Sequence, residues 1–333
     1  MARVTLATVA EALGVSTMTV SNAYNRPEKL SAELRERILA KADELGYPGP
    51  DAVARSLRRG RTGVLGVVLG ESLVYAFEDP ATVEFFRGLA AGGVPLHIVP
   101  STGGPEDDAL VFGAAVDAFI VYALPDAHPL VDAVTRRGLP LVVQSGPEIE
   151  GHPLVAIDER AAAAAAADHL RSLGHERLAV LSLPWEIADR ADRPLRAGVP
   201  KHRVTRGRLE GYGVTVGREV ALNDRAHGEA AAGTLLDGPE PPTGLLCMSD
   251  ELAVGALRAA AVRGIEVPDQ LSIVGFDDTP EAARADPPLT TIRQSLRDQG
   301  RLCAQLAASG APESALEPQP WELIVRATTG PCE

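Results

Sequence analysis

From Val64 onward, short apolar runs alternate with helical stretches, and this alternation limits the possible folds more than any other feature of the chain. The runs are GVLGVVL, PLHIVP, DAFIVYA, LPLVVQS, LVAID, RLAVLS, GLLCMS and LSIVGF, each rich in Val, Ile and Leu and bounded by Gly, Pro or polar residues. Strands covered on both faces read as continuous apolar runs, and strands separated by helices pair in parallel. These runs are too many for one comfortable sheet, so the expected fold is two α/β lobes of parallel sheets. A small ligand is expected between the lobes or at the carboxyl ends of the strands. The alanines at 161–167 read as a helix packed closely on a sheet, RAHGEAAAGTLL as another helix, and DGPEPPTG as a polar loop.

The first 62 residues follow a helical pattern instead. TLATVAEALG places Val9, Ala12 and Leu13 on one face, with Thr5 as the N-cap and Gly14 as the break. Ser16 caps a second helix, TMTVSNAYN, with Val20 and Ala23 inward. Ser31 caps a third, with Leu34, Ile38 and Leu45 at helical spacing and Gly46 closing it. Two short helices joined by a tight turn and braced by a third make a helix-turn-helix. Pro48, Gly49 and Pro50 then stop regular helix, and residues 51–58 could form only one helix too short to be stable alone. This stretch reads as a linker.

Charge divides at the same place. Residues 1–62 carry ten Lys/Arg and seven Asp/Glu, a net of about +3, while the rest carries 22 against 38, about −16. A mildly basic head on an acidic body suits a nucleic-acid-binding module joined to a body that does not bind nucleic acid. In a helix-turn-helix the first residues of the second helix meet base edges. Thr17, Met18 and Asn22 share its exposed face: an Asn bridges adenine, and Thr or Met meets a thymine methyl. Ser16, Thr19, Ser21 and Asn25, with Thr5 on the first helix, are short donors suited to phosphates.

Other chemistries find little support. The N-terminus lacks the pattern of a signal peptide, and no run of about 18 apolar residues exists to span a membrane. Cys247, Cys303 and Cys332 fit neither a zinc spacing nor a disulfide framework, so the cytosol is expected. No G-x-S-x-G elbow, P-loop, H-E-x-x-H or complete dinucleotide fingerprint is present. No catalytic residue, cofactor or metal is therefore expected. His169 and His175 read as a polar helix end, and the paired acids of GFDD, 275–278, as a polar ligand contact at a strand end.

The stretch VTLATVAEALGVSTMTVSNAYNRPEKLSAELRERILAKADELGY resembles the headpiece of the LacI/GalR (lactose-repressor) family, and PDAVARSLRRGRTGVLGVV its hinge and first core strand. LRSLGHERLAVLS, PPTGLLCMSDELAVGALRAA, GIEVPDQLSIVGFDDTP, DPPLTTIRQSLRDQG and PWELIVRATTG are similar to its core motifs, in order. The resemblance implies an N-terminal helix-turn-helix headpiece over 1–46, a hinge with a short DNA-induced helix over 47–62, and a two-lobed, periplasmic-binding-protein-like core for effector binding and dimerisation over 63–333. It implies a homodimeric repressor of a near-palindromic double-stranded operator, controlled by a small sugar-like effector. A solute-binding protein and a cleft enzyme are the alternatives that the core alone would permit.

By the same resemblance, Leu57 wedges into the minor groove, flanked there by Ala54 and Arg58. Asp51 stands where Asn is common and could cap the hinge helix. Effector contacts fall on Arg208, Ser249, Asp250 and Asp277, with wall positions at Tyr75, Phe77, Ser145, Asn223 and Leu296. The chain departs from the family pattern around RLEGY, where the preceding segment is long. Arg193 and Arg196 therefore stand as alternatives to Arg208. The chain ends within about a dozen residues of the last core motif, so a dimer is expected rather than a tetramer held by a heptad tail.

Overall fold

Thr5, Ser16 and Ser31 each cap a helix through a side-chain oxygen that accepts a backbone N–H three residues on. The helices are α1 (Leu6–Leu13), α2 (Thr17–Asn25) and α3 (Ala32–Glu44). The computed structural model describes residues 4–49, 60–104, 106–310 and 316–332. The chain divides into two compact units, Met1–Gly63 and Val64–Glu333.

In the first unit, Gly14 ends α1 at φ 66°, a left-handed conformation that costs glycine little. The chain can thus turn sharply into Ser16 and α2. Val9, Ala10, Val20, Ala23, Ile38 and Ala42 form the buried core. The inward face of α1 differs from the expected one: Ala12 is exposed and Ala10 is buried. Leu6, Val9, Ala10 and Leu13 follow the i, i+3, i+4, i+7 stripe of a helix with one buried side, and Ala12 falls off it.

The second unit opens with β1 (Leu65–Leu69), β2 (Leu96–Pro100), β3 (Ala118–Tyr122), β4 (Leu141–Gln144) and β5 (Leu154–Ala156). The next strands are β6 (Leu178–Ser182), β7 (Arg193–Pro194), β8 (Gly217–Glu219), β9 (Gly244–Cys247), β10 (Ser272–Asp277) and β11 (Thr290–Gln294). Two late strands follow, β12 (Leu316–Pro318) and β13 (Trp321–Ile324). They form two sheets, ordered β12-β5-β4-β3-β1-β2 and β13-β11-β10-β9-β6-β8-β7. All pairs are parallel except β11 with β13 and β7 with β8.

The first lobe carries α4 (Leu73–Glu78), α5 (Pro80–Ala91), α6 (Asp107–Gly113) and α7 (Pro129–Arg136). The second carries α8 (Glu159–Ser172), α9 (Arg203–Tyr212), α10 (Arg225–Leu236), α11 (Asp250–Val262) and α12 (Pro280–Arg284). Helix α13 (Leu296–Ala308) returns to the first lobe and packs on α5. The chain thus crosses between lobes after β5, after β11 and after β12.

Close helix packing explains the small residues. Ala162, Ala163, Ala166 and Ala167 of α8 are buried beside the second sheet, and α9 approaches so closely that a Cβ on Gly211 would strike the carbonyl of Arg160. His169 and His175 hold the C-terminal segment, bonding to Thr329 at 2.9 Å and to Gly330 at 3.1 Å.

Candidate functional site

Each unit presents one candidate surface. In the first, Thr17 and Met18 begin α2 and face solvent, Met18 with 67% of its surface exposed, and Asn22 lies half-buried one turn on. Helix α2 has no ionised side chain of its own, and its N-terminal N–H groups and dipole favour an anion. Thr5 is engaged in a capping box with Thr8. Ser16 Oγ lies 2.8 Å from Thr19 Oγ1. Asn25 Nδ2 donates back to the Ser21 carbonyl at 3.0 Å and to Ser21 Oγ at 3.3 Å. Ala54, Leu57 and Arg58, and the short helix expected over 51–58 with Asp51, lie outside the described residues.

In the second unit a cavity opens between the lobes. Ala123, Ser145 and Asp277 line it at the carboxyl ends of β3, β4 and β10. All three have positive φ, at 49°, 49° and 104°. Non-glycine residues rarely adopt that conformation, and such strain gathers at ligand sites.

Arg208 lines the cavity from α9 and is almost fully buried. Its Nε donates to Glu159 Oε2 at 2.7 Å, its Nη1 to the Met248 carbonyl, and its Nη2 lies 3.5 Å from Asp277 Oδ1. The guanidinium sits 3.5 Å over the Phe276 ring. Burial alone would lower its pKa, but Glu159 and Asp277 outweigh burial and raise it. Ser249 Oγ donates to Asn223 Oδ1 at 2.5 Å, and Asn223 Nδ2 lies 3.5 Å from Asp79 Oδ1 on the opposite lobe. Burial pushes the Asp79 carboxyl up to about 6, against its bonds from Thr82. Burial and Arg190 push His202 down to about 4, leaving a neutral imidazole on the wall at pH 7. Tyr75 and Leu296 also line the cavity.

Two expected contacts are placed elsewhere. Phe77 faces solvent and stacks on Phe86, because α4 turns its Tyr75 face inward and its Phe77 face out. Asp250 is fully buried but does not line the cavity. It accepts from the Thr279 N–H at 2.6 Å and from Thr291 Oγ1 at 2.6 Å, and so holds the turn after GFDD. Burial, then the Asp277 charge, pushes its carboxyl up to about 8. The second acid of GFDD, Asp278, pairs with Arg293 and Arg326 instead of the cavity. Arg193 and Arg196 pair with the fully buried Glu219 and do not line the cavity, whereas Arg208 does.

The sequence reading missed Glu71, Asp79, Tyr122, Gln144, Glu159, His202 and Gln294, all on the cavity wall. Tyr122, Gln144 and Gln294 end β3, β4 and β11, Glu71 and Glu159 follow β1 and β5 within three residues, and Asp79 and His202 are the N-cap residues of α5 and α9. Arg190 pairs with Glu71 and lies 5.4 Å over Tyr75, two of the cavity's wall residues. No described helix is long and apolar enough to cross a membrane. Among the described residues, no three His, Cys, Asp or Glu side chains gather as a metal site.

Residues 5–49 match the family of bacterial regulatory proteins of the lacI type, and residues 167–329 match the periplasmic binding protein-like domain. The chain is 39% identical to the HTH-type transcriptional regulator IpsA of Corynebacterium glutamicum, covering 95% of this chain and 93% of that one. It is 32% identical to the HTH-type transcriptional repressor CytR of Escherichia coli, covering 89% and 86%. Its fold superposes on a LacI-family regulator from Corynebacterium glutamicum with a TM-score of 0.74, at 32% identity over 97% and 98% of the two chains. It superposes on the lac repressor dimer bound to operator and the anti-inducer ONPF with a TM-score of 0.77, at 26% identity over 98% and 99%. The helix-turn-helix head and the two-lobed core are thus matched together across nearly the full length of these relatives, and the chain belongs to the LacI family of helix-turn-helix transcriptional regulators.

Proposed function

We propose that this regulator is a homodimeric cytoplasmic repressor whose hold on a near-palindromic operator is set by a small sugar-like effector. The layout that goes with this reading is a headpiece over 1–46, a hinge over 47–62 and a core over 63–333. On α2, Thr17, Met18 and Asn22 read base edges in the major groove, while Thr5, Ser16, Thr19, Ser21 and Asn25 meet phosphates. Ala54, Leu57 and Arg58 enter the minor groove. Arg208, Asp277, Ser249, Asn223, Ser145, Tyr75 and Leu296 face the effector.

The observation that carries the effector reading is the inter-lobe cavity itself. It is walled by Tyr75, Tyr122 and Leu296 on its apolar side and by fixed carboxylate, amide and guanidinium groups on its polar side. A ring-shaped polyol needs both: apolar surface for its C–H face and paired polar groups for its hydroxyls. The buried acids support binding rather than turnover, since Asp277 is committed to Gln294 and Arg208, and Glu159 to Arg208. A ligand that prefers one lobe arrangement shifts the dimer toward or away from the form that grips DNA.

Selection of bound duplexes from a random pool, with and without neutral sugars, tests the reading. The expected result is one near-palindromic consensus whose recovery changes with one sugar. Weak, sequence-independent and strongly salt-dependent binding in every arm would remove it.

A further inference from the structure

Three glutamines, Gln144 and Gln294 on the cavity wall and Gln299 behind them, form a buried chain. Gln294 Nε2 donates to Asp277 Oδ1 at 2.7 Å. Gln299 Nε2 donates to Gln294 Oε1 at 3.0 Å, and Gln144 Nε2 donates to Gln299 Oε1 at 2.8 Å. Gln144 Nε2 also reaches Ser145 Oγ at 2.8 Å. The chain joins β4 of the first lobe to β10 and β11 of the second through α13, which packs back on the first lobe.

The direction of every bond follows from the carboxylate at one end. Asp277 Oδ1 faces the Arg208 guanidinium at 3.5 Å and accepts from Gln294 at 2.7 Å, so Gln294 offers it the amide nitrogen and turns its oxygen to Gln299. The same constraint passes to Gln299 and then to Gln144. A flip of any one amide would set two oxygens or two NH2 groups against each other. The far end of the chain is therefore decided: Gln144 points its nitrogen at Gln299 and is left with an oxygen. Gln144 is 1% exposed and lines the cavity, and its Oε1 has no hydrogen-bond partner. A buried acceptor left unmatched is costly, which favours a ligand that supplies the missing donor.

We infer that Gln144 is a specificity-determining residue whose Oε1 accepts a hydrogen bond from one hydroxyl of the effector, with Gln299 and Gln294 as positioning residues that hold it as an acceptor. This rests on the effector reading above. The site demands a donor at that point and rejects a ligand that offers an acceptor or nothing.

The test is calorimetric titration of the full-length protein with D-ribose, D-galactose, D-glucose and cellobiose. The sugar that binds is then compared with its monodeoxy analogues, in wild type, Gln144→Met and Gln299→Met. Wild type should bind one deoxy analogue about 5- to 10-fold more weakly than the parent, the effect of one lost hydrogen bond. That discrimination should fall to near unity in Gln144→Met and also in Gln299→Met, which breaks the chain from outside the cavity lining. If Gln144→Met fails to fold, Gln299→Met gives the same readout. Equal losses for every deoxy analogue in the variants and in wild type would overturn the assignment while leaving the effector reading standing. Binding of none of the sugars by wild type would remove the sugar-effector reading, and the assignment with it.

Discussion

The roles of single side chains separate by what each can reach. On α2, Asn22 has an amide able to bridge a base edge, whereas Ser21 has one hydroxyl close to Asn25. Asn22→Ala should cost about 1–3 kcal/mol on the preferred operator and relax the choice at one base pair. Ser21→Ala should weaken binding to all duplexes alike, as titration against single-base variants of the operator would read. On the cavity wall, Asp79 caps α5 and carries a carboxyl held up near 6 by burial, against an ordinary value of 3.8. Between those values the folded chain keeps a proton that the unfolded chain has released. Stability from this group is therefore present at low pH, is lost as pH rises through about 4 to 6, and is flat above. Asn caps a helix about as well as Asp. The Tm of Asp79→Asn should accordingly climb above that of wild type across this window and then hold level. A wild type that gains on the variant as pH rises would contradict the assignment. Neither this residue nor Gln144 was legible in the sequence. A lone Asp before Pro, or a Gln closing an apolar run, forms no motif, and what sets their behaviour is burial and partners far along the chain. Asp250 misled for the same reason: MSDE resembles a ligand motif, but Thr279 and Thr291 enclose its acid.

At the scale of elements, continuous apolar runs were enough to find β1 to β6, β9 and β10, because a strand covered on both faces writes its burial into every residue, and even the half-exposed edge strand β2 keeps Leu96, Ile98 and Val99. The two-residue edge strand β7 and its three-residue neighbour β8 escaped, since short strands bearing Arg and Glu have no such run. The close helix crossings were visible only as small residues, without their partners. Helices α5 and α13 cross so tightly that a Cβ on Gly88 would meet the carbonyl of Arg297, and one on Gly300 the carbonyl of Phe85. Gly88→Ala trades a gain in helix propensity of about 1 kcal/mol against backbone overlap that typically costs about 1–3 kcal/mol. The sum is expected to be destabilising, with a lower midpoint in urea and an unchanged slope. A stabilised variant would mean that α13 can slide away from α5, and the glutamine chain, anchored on α13 by Gln299, would then shift with it.

For the whole molecule, the two units have cores that share no residue. The first unit's core consists of six small or medium side chains, Val9, Ala10, Val20, Ala23, Ile38 and Ala42. The second unit has four clusters built on two sheets. Burial per residue rises with domain size, so the first unit is the weaker. Calorimetry of the free protein should show two transitions, the smaller and cooler one belonging to the first unit. The effector cavity lies wholly in the second unit, so a bound sugar should lift only the hotter transition. At 100 times its Kd the stabilisation is about 2.7 kcal/mol, or about 5–10 °C for a unit of this size. An operator duplex should act on the cooler transition first, and on the hotter one only to the extent that effector and DNA sites are coupled. That coupling must be reciprocal: a sugar that loosens the operator is itself loosened by it, by the same factor. Sugar titrations with and without operator therefore measure the sign of control directly. A sugar that lifts both transitions equally in the absence of DNA would place the two cores in a single cooperative unit and contradict this division of labour.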